Sequence, residues 1–180
     1  MENITTERLL LRPWHDSDGD FVYDLYSRWV VQRFIGNEPR VMESRSEAEE
    51  RLARFQAIDH PVHGIWAVTR KEDGAPVGTL LLKPIPASGD EPLKPSGDVE
   101  IGWHLHPDYW GSGFASEAAE AVLEHAFAHG LERVVAVTNP ANEASQNVCL
   151  RIGMKAKGLS KKYYNATCEL FVAKNPAADS

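Results

Sequence analysis

The stretch DVEIGWHLHPDYWGSGFASEAAEAVLE, residues 98–124, decides the fold. From Asp98 to Leu105 apolar Val99, Ile101, Trp103 and Leu105 alternate with Asp98, Glu100, Gly102 and His104, the period of a strand with one buried face. Pro107 ends that strand. Beyond the turn, Ala115, Ala118, Ala119, Val122, Leu123, Ala126 and Phe127 keep helical spacing until Gly130 stops the helix. Gly111 and Gly113 therefore sit at a helix mouth, where backbone N–H groups point outward unobstructed and the helix dipole adds partial positive charge. Such a turn is a seat for phosphate.

Two familiar phosphate seats do not fit. A kinase-type loop closes on Gly-Lys-Ser/Thr, whereas Gly113 is followed by Phe114 and Ala115. A dinucleotide fingerprint wants Gly or Ala at position 116 and an acid about 20 residues on; Ser116 stands there, and the next strand ends at Thr138-Asn139.

Trp110-Gly-Ser-Gly113-Phe-Ala115 resembles the central motif of the GCN5-related N-acetyltransferase (GNAT) superfamily, Gln/Arg-x-x-Gly-x-Gly/Ala, which receives the pyrophosphate of acetyl-CoA. Trp110 departs from the usual Gln or Arg, as in the branch resembling ribosomal-protein N-terminal (Rim-type) acetyltransferases, where Tyr-Trp-Gly-x-Gly-x-Ala-x-Glu is common. Thr6-Glu-Arg-Leu-Leu-Leu-Arg12 resembles the start of that branch, and Asn139 to Met154 resembles its Asn-x-x-Ser/Ala…Gly-Phe segment, with Met154 for Phe. The resemblance implies one domain over residues 1–175, with a short polar tail at 176–180. Its fold is α/β (α+β): a mixed, mostly antiparallel sheet flanked by helices, with splayed central strands. It also implies acetyl-CoA as cofactor, held by the backbone of Gly111, Ser112, Gly113, Phe114, Ala115 and Ser116. Ile101, Trp103, Leu105 and Trp110 would flank it, and Asn139, Asn142 and Ser145 would meet its pantetheine arm.

Composition agrees with an ordinary globular domain. The chain has 180 residues, 43% hydrophobic and 25% charged, enough for one core and short for two. A net charge of −7 argues against nucleic acid or an anionic membrane as partner and mildly for a cationic substrate. Cys149 and Cys168 lack disulfide or zinc spacing, no apolar run approaches a membrane span, and no basic-then-apolar signal opens the chain; the expected location is cytoplasmic.

Around the central unit, residues 6–14 read as an opening strand. Next comes a helix capped by Asp16 or Ser17, carrying Phe21, Val22, Leu25, Tyr26 and Trp29 inward. Ser44 or Ser46 caps a second helix over 47–58. Between them, the segment with Phe34, Ile35 and Gly36 borders the acceptor pocket in the superfamily, and so would carry substrate identity. Strands over 64–70 and 76–83 flank an Asp-Gly turn, the proline-rich run 84–97 reads as a loop, and 133–138 reads as a buried strand. A short helix over 142–152 and strands over 155–162 and 167–174 close the domain.

Acetyl transfer to an amine needs a seat, a base, a stabilised oxyanion and a proton for the leaving thiolate. Glu100 and His104 share one strand face, and the resemblance supports Glu100 as base; Glu169, in the last strand, is a second acid of this kind. Cys149 occupies the position where many members carry a proton-donating tyrosine. Ser145, one turn earlier, is a donor candidate or a helix-start hydrogen-bonding residue. His104-x-His106 and His125-x-x-x-His129 have ligand-like spacing but no clear third ligand, so no metal is expected. The resulting expectation is transfer from acetyl-CoA to a primary amine, a protein N-terminus or a small amine, by direct attack in a ternary complex, in a monomer or homodimer. The alternative is a non-catalytic acyl-CoA-binding sensor that kept the seat and lost the proton donors.

Overall fold

The computed structural model describes residues 1–179. Eight strands form one sheet in the order β1 (Ile4–Thr5), β2 (Leu9–Arg12), β3 (Gly64–Arg70), β4 (Pro76–Pro86), β5 (Pro95–Leu105), β6 (Arg133–Thr138), β8 (Cys168–Lys174), β7 (Lys155–Ser160). Every pairing is antiparallel except β5 with β6, which run parallel and meet at one register pair, Glu100 with Val135. β4 and β5, by contrast, pair from Gly78 with Leu105 out to Pro86 with Pro95. The sheet is therefore split along the β5–β6 line, as the splayed strands of the sequence reading require.

The period of two assigns each side chain to one of two layers. On one face Leu80, Leu82, Ile101, Val134 and Ala136 pack against the helix α4 (Phe114–Ala128) through Ala118, Ala119, Val122 and Ala126, all closely buried. Alanines on that stripe let the helix lie close to the sheet. On the other face α1 (Gly19–Tyr26) and α3 (Arg45–Gln56) bury Val22, Leu25, Tyr26, Ala48 and Leu52 with Trp14 and Ala67. Ser44 caps α3 in a capping box with Glu47, and Asn142 caps α5 (Glu143–Arg151), accepting from the Ser145 amide at 3.3 Å.

Two expectations change. The run 84–97 is not all loop: residues 84–86 and 95–97 belong to β4 and β5, and only 87–94 connect them. The β3 partner of β4 stops at Leu82, so Pro84 and Pro86 lie where one edge of β4 is unpaired and a missing N–H goes unfelt. Trp29 is 55% exposed rather than inward. Here α1 ends at Tyr26, extended Arg28 breaks the phase, and Trp29 begins a separate turn, α2 (Trp29–Gln32). Within the short polar tail Pro176–Asp179 form a 3-10 turn, and Ser180 lies outside the described residues.

Candidate active site

The β5–β6 split opens a cleft of about 1560 Å³ that passes between the two layers. On the α4 side it ends at the glycine turn. Gly111 and Gly113 have φ of +77° and +79°, and a Cβ at Gly111 would meet nothing within 4 Å; glycine is needed there for conformation, not for space. The turn is buckled from behind by Arg8, whose guanidinium donates to the Ser112 carbonyl at 2.9 Å and to Glu117 at 2.7 Å and stacks over the Phe114 ring. Ser112 thus faces Arg8 and does not line the cleft. Burial alone would raise the Glu117 carboxyl, but hydrogen bonds from Thr6 and from the Arg8 amide and guanidinium hold it below the usual carboxylate range. Arg151 reaches the same mouth from α5 and donates to Ser116 Oγ at 3.0 Å. Trp110 donates its indole N–H to the Leu105 carbonyl at 2.9 Å, tying the strand end to the turn where Gln or Arg is usual.

Further in, Ile101, Trp103, Leu105, Phe114, Ala115, Ser116, Asn139, Asn142 and Ser145 all border the cleft. The Asn142 amide donates to Ser145 Oγ at 3.0 Å, which leaves the hydroxyl proton free to turn into the cleft. The Thr138 hydroxyl, at the β6 edge of the same cleft, is buried and has no partner. An orphaned donor deep in a split sheet, together with an outward-facing glycine cradle, fits the arm and phosphates of acetyl-CoA.

On the opposite face stand the even-numbered residues of β5. Glu100 is buried, accepts a hydrogen bond from the Tyr164 hydroxyl, and has Lys83 Nζ at 3.6 Å. Burial raises its pKa, while Tyr164 and Lys83 pull the other way. His104 Nδ1 lies 2.9 Å from the Tyr26 hydroxyl, which is in turn hydrogen-bonded to the Thr79 hydroxyl at 2.8 Å. Burial lowers the His104 pKa to about 4, so the ring is neutral near pH 7. Phe34, Ile35 and Gly36 also border this side, and Asn37 donates to the Tyr164 carbonyl at 2.7 Å.

Two of the catalytic candidates fall outside the cleft. Cys149 is fully buried in the α4-side core, and burial pushes its thiol up to about 12. Glu169 shares the parity of Phe171 and faces the α4 side, whereas Cys168, of opposite parity, lines the cleft on the acceptor face. Sequence reasoning missed Tyr164 and Arg8. Tyr164 and Asn165 adopt φ of +58° and +52°, a left-handed pair with no glycine to announce it. Hydrogen bonds from Asn37 to Tyr164 and between Asn165 and Ser88 and Gly89 hold the pair in place. For Arg8 the one available signal is Glu117, an acid in the first turn of α4.

The acetyltransferase (GNAT) domain family matches residues 8–155. Two relatives from Bacillus subtilis (strain 168), the uncharacterized N-acetyltransferases YoaA and YnaD, are 31% and 32% identical over 162 and 163 residues. Each match covers 89% of this chain and 86% of the relative. Among solved structures, RimL, the ribosomal L7/L12 alpha-N-protein acetyltransferase in complex with coenzyme A, matches in fold with a TM-score of 0.76 at 19% identity, over 98% of this chain and 99% of that one. No helix among the described residues is long and apolar enough to cross a membrane. A split sheet with a glycine cradle at its mouth, a family match over most of the chain and relatives at this identity make the chain a member of the GNAT acetyltransferase family and an acyltransferase.

Proposed function

We propose that the chain acetylates a primary amine, a protein N-terminus or a small amine, that enters from the α1–α3 face and attacks directly in a ternary complex. The observation that carries this reading is the cleft itself: the glycine cradle opens on one face of the split, and the Glu100–Tyr164 pair stands on the other. Acetyl-CoA supplies an activated acyl carbon and a thiolate leaving group. The backbone of Gly111 and of residues 113–116, with Arg151 beside it, holds the phosphates. Thr138, Asn139 and Asn142 meet the arm.

Glu100 accepts the amine's proton, directly or through one water. A buried carboxyl with a raised pKa is a stronger base than a free one, and the Tyr164 hydroxyl and Lys83 ammonium favour its ionised form against the burial. Ser145 delivers a proton to the leaving thiolate. Cys149 takes no part, because its thiol is locked in the core. The expected partners are acetyl-CoA and the amine alone, in a monomer or homodimer, with no nucleic acid or membrane. The cytoplasmic setting belongs to the same reading and is supported by two free thiols and an acidic surface.

The test is free-thiol release from acetyl-CoA with a panel of N-terminal peptides and small amines. At least one amine should turn over, and Glu100→Gln should lower kcat by about 10²–10⁴-fold, the usual worth of a positioned base. Tight acetyl-CoA binding without turnover on any amine would replace the enzyme reading by the sensor one.

A further inference from the structure

The end of α4 remote from the glycine turn carries a second constellation. His125 and His129 stand one helical turn apart, and the fold brings Glu2 to them, so that one donor atom from each of the three lies within 4.8 Å of the others. The third ligand missing from the local spacing comes from the far end of the sequence.

Both imidazoles are fixed in tautomer and orientation by main-chain carbonyls. His125 Nε2 donates to the Val62 carbonyl at 3.0 Å, and His129 Nδ1 donates to the His125 carbonyl at 2.8 Å. A carbonyl can only accept, so in the neutral ring the other nitrogen of each carries a lone pair. His129 Nε2 lies 4.0 Å from the Glu2 carboxylate. Metal-binding histidines are typically held in this way, with the second ring nitrogen donating to a carbonyl or carboxylate. Glu2 is itself anchored: its carbonyl accepts from the buried Trp66 indole at 2.9 Å, and Met1 packs partly buried against the same core.

We propose that Glu2, His125 and His129 bind a divalent transition metal, with Zn²⁺ the best match to two imidazoles and a carboxylate and with water completing the tetrahedron. The 15 residues of α4 span about 22 Å at 1.5 Å per residue, so the ion stands far from the acetyl-transfer site. Its role is to clip the N-terminal segment onto the C-terminal end of α4. The neighbouring His60 and His63 rings stack at 4.1 Å but do not rival the site. His60 Nδ1 already accepts from the amides of Val62 and His63, which leaves its other nitrogen protonated.

The test uses the untagged chain with its own N-terminus, freed of metal by a chelator and titrated calorimetrically with ZnCl₂ at neutral pH, with Co²⁺ absorption as a second readout. The expected result is one Zn²⁺ per chain. Glu2→Gln and His129→Gln should each weaken binding at least tenfold and remove the visible Co²⁺ bands, because loss of a direct ligand exceeds the ~10–100-fold effect of an outer-shell change. His60→Gln should bind as wild type, and His129→Gln should retain acetyl transfer. No stoichiometric binding by the wild type, or undiminished binding in both Glu2→Gln and His129→Gln, would overturn the assignment. A folded baseline for each variant comes from its melting curve without metal.

Discussion

Gly113→Ala isolates what the glycine turn does. The residue holds φ +79°, and a Cβ there would meet only an Arg8 nitrogen at 3.4 Å, an ordinary contact. Alanine therefore introduces no clash, and its effect is conformational, about 1–2 kcal/mol for an L side chain in the left-handed region. Gly130, at the other end of α4, provides the control: it has φ +88° and nothing within 4 Å of its built Cβ. The strain is matched, but Gly130 holds no phosphate. Relaxation of the exposed turn at Gly113 swings the amides out of alignment, so the same 1–2 kcal/mol appears as weaker cofactor binding. With 1.4 kcal/mol per decade, KM for acetyl-CoA should rise about 5- to 30-fold. Gly130→Ala should lower Tm and leave KM alone. Gly113→Asn should recover much of the loss, since Asn tolerates this region. The assay is steady-state thiol release against acetyl-CoA concentration, with melting curves on the same samples. An unchanged KM in Gly113→Ala, or an equal rise in Gly130→Ala, would refute the reasoning.

Glu100→Gln should remove the acid limb of the pH–rate profile, because only the ionised carboxylate accepts a proton and its pKa is raised by burial. The same shift fixes the sign for stability. A carboxyl with a raised folded pKa binds its proton better folded than unfolded, so stability falls as pH climbs from the ordinary carboxylate pKa through the raised one, and Glu100→Gln should melt no lower than wild type at neutral pH. Tyr164→Phe takes away a hydrogen bond that lowers the Glu100 pKa, so the acid limb should move to higher pH in a kcat/KM profile. Cys149→Ala should destabilise by about 1–2 kcal/mol, read by denaturant titration, through the void it leaves, with kcat unchanged. Ser145→Ala should lower kcat by about a hundredfold while melting near wild type, the signature of a proton donor.

The central unit is legible in sequence because its signals are local. Alternation around Ile101, the proline at 107, two glycines and an alanine-rich stripe each report on neighbours a few residues away. Glu100 was identifiable for the same reason, since strand parity assigns its face. Parity also misleads where register is unknown. Nothing in Cys168-Glu-Leu-Phe171 says which residue of the pair looks into the cleft, and the antiparallel match to β6 decides for Cys168 over Glu169. Arg8 and Glu117 meet across most of the domain, and Tyr164 acquires its left-handed backbone from Asn37 and from the hairpin at Ser88 and Gly89. Partnerships of that span leave no periodic trace. The prolines at 84 and 86 read as punctuation because a strand with one free edge cannot be told in advance from a loop.

The two mouths of the cleft have different ancestries within the chain. The seat proposed for the coenzyme draws mostly on one contiguous stretch, from β5 through α5, braced from behind by Arg8. The wall proposed to face the amine joins Glu100 and His104 of β5 to pieces from elsewhere in the chain, around Phe34, Lys83 and Tyr164. Under the proposed function, substitutions in those outlying pieces would change which amine is accepted while leaving the coenzyme's seat as it stands.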